Sequence, residues 1–255
     1  MDKKSLFLVL LFPLILSNFG CATMGLITPV PSENQKAIFK DGNKSIISMK
    51  ENTVIVAPLS EKFSSDQREE FLVMVENGSS QEFNFSTDNI FAKSTEPVTS
   101  QDIYLKVFSY DDLVKEEKDR EVWASIGAAI QGASDSIKAQ NAGYSNTYGN
   151  YSGNNGYGSY TSSTYNYTEA QAAQRQAQED SDVRFSRIEA EEQANLRDLS
   201  KTILKKETIF PNAWYGGIVV VQMPSVTETT GKFTMTIMIN KESHVFNFTY
   251  SRIND

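Results

Sequence analysis

Strand-forming segments gather toward the two ends of this chain of 255 residues, and its middle is of another character. KAIFK, SIISMK, NTVIVAPL, EFLVMVEN, QEFNFST and DIYLKVFSY follow one another in the first half, with turn signals at DGN and NGSS. GGIVVVQM, KFTMTIMIN and HVFNFTYSR do the same near the other end. Phe83 with Phe85, and Tyr104 with Phe108 across Lys106, alternate as strands with one buried and one wet face do. Nine short strands with no helix among them speak against a βαβ arrangement. They predict a mainly β protein, an antiparallel immunoglobulin-like β-sandwich. Neither group of strands closes a core alone. Residues 36–110 and 207–255 are therefore expected to form one domain, with residues 111–206 inserted in it.

The insertion reads as two helices. Ser109 and Asp112 have capping-box spacing, and Trp123, Ile126, Ile130, Ala133 and Ile137 step by threes and fours along one helical stripe. Thr168 and Gln171 repeat the capping signal, and Phe185, Ile188, Leu196, Leu199 and Ile203 form a second stripe with Glu192 in its gap. Lys205 and Lys206 are placed in the last turn, where they suit the helix dipole. The expectation is a long antiparallel helical hairpin whose apolar stripes meet in one seam. At ~1.5 Å per residue each helix would be roughly 40–55 Å long.

Between the helices, residues 139–168 carry no charge and hold seven of the eleven tyrosines: Tyr144, Tyr148, Tyr151, Tyr157, Tyr160, Tyr165 and Tyr167. The Gly, Ser and Asn content disfavours helix and core, which predicts a flexible connection. The tyrosines make it a candidate contact loop. An amyloid-type adhesive segment is a further reading, weakened by the many glycines. Stacking on nucleic acid would need flanking cations, and none lies nearer than Lys138 and Arg175.

The N-terminus reads as a targeting signal. Lys3 and Lys4 precede an apolar run of eleven residues from Leu6 to Leu16, too short to span a bilayer, which takes roughly 20. Cys21, the only cysteine, follows in NFGCATMG as it would in a bacterial lipobox, although Asn18 stands where that pattern prefers an aliphatic residue. Residues 1–20 are then a lipoprotein signal peptide, Cys21 is the acylated residue (palmitate among its chains), and residues 21–35 are a tether. Attachment to the lipid bilayer becomes stable once more than one chain is buried. A lone cysteine forms no internal disulfide. Removal of the leader, net +1, takes the formal charge from −8 to −9, which argues against binding nucleic acid or anionic lipid through bulk charge.

No catalytic pattern emerges. His244 is the only histidine and sits in a strand segment. There is no HExxH, no Cys/His cluster and no P-loop. Carboxylates in KEEKDRE and EAEEQ lie among basic residues at helical spacing, as on a solvated face. No catalytic, metal-binding or cofactor-binding residue is assigned.

With GCATMG at the start, the Gly/Tyr/Ser-rich run between Ala-rich helices, LKKETIFPNAWYGGIVVVQMP and a terminal HVFNFTY, the chain resembles a group of uncharacterised proteobacterial envelope lipoproteins. The resemblance is specific over residues 204–224 and 244–250, and it implies location and architecture without transferring an active site. The expected function is a non-enzymatic, membrane-anchored interaction or structural module with an envelope protein as partner. Ala22 after the cysteine implies an outer-membrane lipoprotein, facing the periplasm or the exterior. The alternatives are an envelope hydrolase using Asp or Glu, and a secreted adhesive or amyloid-type subunit.

Overall fold

The computed structural model describes residues 23–40, 43–65, 67–95, 99–153, 156–226 and 230–253. Cys21, with the leader before it, lies outside them. The first strands are β1 (Met24–Val30), β2 (Gln35–Lys40), β3 (Asn43–Met49), β4 (Thr53–Pro58) and β5 (Lys62–Ser64). Next come β6 (Arg68–Glu76), β7 (Phe83–Phe85), β8 (Ile90–Thr95), β9 (Asp102–Leu105) and β10 (Val107–Phe108). Helix α1 (Tyr110–Asn141), strands β11 (Tyr144–Gly153) and β12 (Gly156–Tyr165), and helix α2 (Tyr167–Thr202) follow. The chain then forms β13 (Glu207–Ile209), β14 (Trp214–Gln222), β15 (Gly231–Ile239) and β16 (Glu242–Arg252). These elements form two compact units, Met1–Ser109 with Ile203–Asp255, and Tyr110–Thr202.

The first unit is two six-stranded antiparallel sheets, ordered β5-β1-β16-β15-β8-β9 and β10-β14-β6-β4-β3-β2, beside the small pair β13-β7. Period-two burial explains why these sheets stack. Phe71, Val73 and Val75 of β6 and Val54 and Val56 of β4 turn inward, against Phe233, Met235 and Ile237 of β15 and Phe246, Phe248 and Tyr250 of β16. Phe71 stacks on Phe233 at 5.4 Å and meets Phe248 edge-on at 5.7 Å, while Phe233 and Phe248 lie 5.5 Å apart. Rings so placed add about 0.5–1.5 kcal/mol per pair to their burial.

Asn77, fully buried, joins two loops of this body. Its side-chain nitrogen donates to the carbonyls of Gln81 and Ile209, both at 2.8 Å, and its oxygen accepts from Ser79. Its backbone pairs with Ala213 and Asn212, so the amide is satisfied in a place water does not reach.

Several expectations are corrected. Met24–Val30 is not a tether but a strand paired to β16 and β5, with Ile27 in the core. Pro29 lies within this strand. It is tolerated because β5 spans only Met24–Leu26 of β1, leaving Pro29 with β16 as its neighbour. DIYLKVFSY breaks at Lys106 into β9 and β10, which belong to different sheets, and Tyr104 is exposed. Helix α2 ends at Thr202, so Ile203, Lys205 and Lys206 lie beyond it, and Ile203 bridges to Ile218 within the β unit.

Phe71→Ala should destabilise the protein by about 3–5 kcal/mol, as loss of a core aromatic does. Tyr104→Ala, at 81% exposure, should stay within about 0.5 kcal/mol of the parent. Urea denaturation followed by fluorescence measures both.

Candidate functional site

In the helical unit the two helices pack antiparallel; the apolar stripe of α1 stays outside the seam, while Ile188, Leu196 and Leu199 of the α2 stripe are partly covered. The seam holds Glu117, Ala128, Asp135 and Ala139 of α1 and Ala170 and Arg184 of α2, joined by half-buried polar pairs. Asn195 Nδ2 donates to Glu117 Oε1 at 2.9 Å, with Arg120 on the other carboxylate oxygen, and Arg184 pairs with Asp135 at 3.0 Å. Gly132 permits the approach: a Cβ there would stand 3.1 Å from Ser181 Oγ. Trp123, Ile126, Ile130 and Ile137, expected in the seam, are exposed. The reason is size: small residues let two backbones come close, and the Asp135–Arg184 and Glu117–Asn195 contacts fix the register.

The run between the helices is a correction of greater consequence. It is built as two strands rather than as an irregular connection. β11 and β12 form an antiparallel hairpin in continuous register from Tyr144↔Tyr165 to Gly153↔Gly156. Asn166 closes it by donating its backbone N–H to Gly143 O at 2.8 Å. The same residue caps α2, its Oδ1 accepting from the N–H groups of Thr168 and Glu169, so the cap is Asn166 rather than Thr168.

Alternation sorts the tyrosines. Tyr144, Tyr148, Tyr157 and Tyr165 share one face with Asn146, Thr161 and Ser163, and Tyr160 lies on the other. Tyr144 and Tyr165 pair across the strands at 4.8 Å, and Ser163 Oγ donates to Asn146 Oδ1 at 2.6 Å. Gly149 stands opposite Tyr160, whose ring covers it so closely that a Cβ would lie 2.3 Å away. Tyr151 pairs in register with Gly158. Tyr167 is the first residue of α2. Apart from Tyr151, whose side chain is outside the description, all these tyrosines are exposed, Tyr157 to 90%.

Two clefts line the helical unit. One of about 390 Å³ is bounded by Glu117, Arg120, Glu121, Glu191, Glu192 and Asn195 among others. The other, of about 300 Å³, lies between Asp135, Lys138, Ala173 and Asp180. Glu117 and Asp135 are already committed to the seam. Among the described residues no three His, Cys, Asp or Glu side chains converge as metal ligands.

The residue that sequence reasoning passed over is His244. It is fully buried, and its Nδ1 shares a hydrogen with Ser48 Oγ at 3.0 Å across the two sheets. Its Nε2 lies 3.2 Å from Glu242 Oε2 without the alignment of a hydrogen bond, so that contact is electrostatic. Glu242 in turn accepts from Asn52 Nδ2 at 2.8 Å and from the N–H groups of Glu51 and Asn52. A hydroxyl, an imidazole and a carboxylate in contact are the parts of a nucleophilic triad. Here the hydroxyl is buried too, leaving a substrate no approach, and the group acts as a clasp between sheets. A period-two reading from His244 through Phe246, Phe248 and Tyr250 would have put it inside.

Comparison with protein-family models, curated proteins and solved structures finds no match to this chain.

Burial holds the His244 imidazole below its usual 6.5 despite the pull of Glu242. Burial opposes the Glu242 charge, but the Asn52 hydrogen bonds and His244 outweigh it and leave the carboxyl below 4.5. Both groups bind protons more readily unfolded, so each subtracts stability as pH falls, His244 from about 6.5 and Glu242 from about 4.5 downward. Glu69, pushed up to about 7 by burial and then by Glu70, works in the opposite sense, and its contribution is lost as pH rises from 4.5 to 7. Melting temperature against pH should therefore fall less steeply below pH 6.5 in His244→Gln. Glu69→Gln should raise the melting temperature at pH 8 and leave it nearly unchanged at pH 4.5.

Proposed function

We propose that this protein is a membrane-anchored, non-enzymatic interaction module of the bacterial cell envelope. Acylated Cys21 holds it to the bilayer, and the tyrosine hairpin is its contact surface. The observation that carries the reading is the shared face of Tyr144, Tyr148, Tyr157 and Tyr165, exposed and interleaved with Asn, Ser and Thr. Rigid amphipathic rings with small polar neighbours are what adaptable binding loops use. A surface without charge over residues 139–168 selects a partner by shape and hydrogen bonding rather than by long-range attraction. The likeness to envelope lipoproteins and the outer-membrane location belong to the same proposal.

So does the immunoglobulin-like assignment of the body. Two stacked antiparallel sheets support it, as does Tyr215 near the start of β14. Its hydroxyl donates to Lys205 O at 2.9 Å and accepts from Lys205 N at 3.0 Å, as a tyrosine corner does. A second reading, the adhesive subunit, is favoured by the hairpin's two outer strand edges, which carry no charge to discourage pairing with another strand.

Replacing residues 144–165 by a short Gly/Ser turn, with Gly143 and Asn166 kept, tests the reading. The thermal transition of the body should stay within a few degrees, and the set of envelope proteins cross-linked to the anchored protein should lose a member. An unchanged set would reduce the hairpin to a spacer. Fibres formed by the parent and not by the variant would favour the adhesive reading. Fatty-acid labelling, expected for the parent and absent in Cys21→Ser, checks the anchor separately.

A further inference from the structure

The strongest helical packing signal in the sequence has no partner in the fold. Trp123, Ile126, Ile130, Ala133 and Ile137 run along α1 at alternating steps of three and four, which is the heptad spacing by which one helix packs on another. At 100° per residue they lie on the side of α1 opposite Ala128, Asp135 and Ala139, which face α2. Trp123 is 73% exposed and Ile130 68%, with Val122 open beside them. The row spans about 21 Å.

We propose that this row is a self-association face, packing antiparallel against α1 of a second copy of the chain. Four observations carry it. The flanking heptad positions, Val122, Gly127, Ala129, Ser134 and Ser136, are uncharged and mostly small, so another helix meets neither bulk nor like charge despite the acidic balance of the whole. The row is self-complementary, as a twofold contact requires. With the axis level with Ala128, Ile126 of one copy faces Ile130 of the other and each Trp123 faces the small Ala133 of the second copy, while Ile137 lies beyond this contact, level with Asp119 of the second copy. Residues 122–134 contain no Lys or Arg, the residues a membrane-surface helix carries to meet headgroups. Val122, Trp123, Ile126, Ile130 and Ile137 are all exposed, a contiguous apolar row of the kind that marks an interaction surface rather than scattered single residues. This face is separate from the tyrosine hairpin, and either can exist without the other.

The full-length chain, extracted from membranes in a mild detergent, tests the proposal. Ala129→Cys places a thiol one residue from the axis, and copper phenanthroline should convert most of the chain to a disulfide-linked dimer. The parent, with Cys21 alone, sets the background. Adding Ile126→Asp and Ile130→Asp should lower the cross-linked fraction at least ten-fold while the circular dichroism remains helical. Ala190→Cys, on an exposed position of α2, should stay at background. Equal cross-linking at residues 129 and 190, or none at 129, overturns the proposal. So does Trp123-dependent binding to phosphatidylglycerol vesicles without a cross-link, which would assign the row to lipid. Sedimentation of the unaltered chain reads the same question without a variant: a dimer mass is expected, and a monomer mass at tens of micromolar contradicts it.

Discussion

The contact of Phe71 with Phe233 and Phe248 is what the rest of the fold depends on. Phe71 lies before the helical unit in the chain, and the other two lie well after it. Neither stretch has a core until they meet, so the segment between Ser109 and Ile203 must return the chain to the place it left. An antiparallel pair of helices does this by construction. Once the ends are held, loop-closure entropy grows slowly with length, about 0.6 kcal/mol per doubling. The body therefore tolerates a long excursion, and what the excursion carries is free to serve another purpose.

Polar residues make the arrangement unique. Hydrophobic burial alone forbids a one-residue slip of a sheet but would tolerate a slip of two, which keeps the same faces inward. Asn77 and the Ser48–His244–Glu242 clasp would not, because a slip would leave buried donors and acceptors unpaired, each at a cost of about 1–3 kcal/mol. The helical unit follows the same logic with polar contacts across its seam, Glu117 with Asn195 and Asp135 with Arg184. A seam of small residues explains why the apolar row on α1 is left outside.

How much of this was legible in the sequence follows from what kind of signal each element sends. Period-two alternation in Phe83 and Phe85, and in Val54 and Val56, marks strands plainly, and the mainly β body was legible from it. β1 was hidden because Pro29 reads as a linker until its neighbours are known. The α1 side of the helix seam was hidden because hydrophobicity does not register Gly132, Ala128 or a paired Asp135, and the apolar stripe of α1 lies on a face that does not meet α2. The hairpin was hidden by composition. Gly, Asn and Ser suggest disorder when counted, yet Tyr160 over Gly149 and Tyr144 beside Tyr165 are cross-strand pairs that only a register brings together. His244 was passed over because a lone histidine without a patterned partner carries no motif, and its partners come from residues 48 and 242 by way of the fold.

The claim that the excursion carries a binding surface, while the body only supports it, is most directly tested by hydrogen exchange. Full-length chain in the proposed membrane-anchored state is compared with the same chain extracted in detergent, and protection is read peptide by peptide. The account predicts slower exchange over residues 144–165 in the membrane, with β15 and β16 unchanged between the two states. Equal exchange over residues 144–165, or slowing confined to the strands of the body, would contradict it.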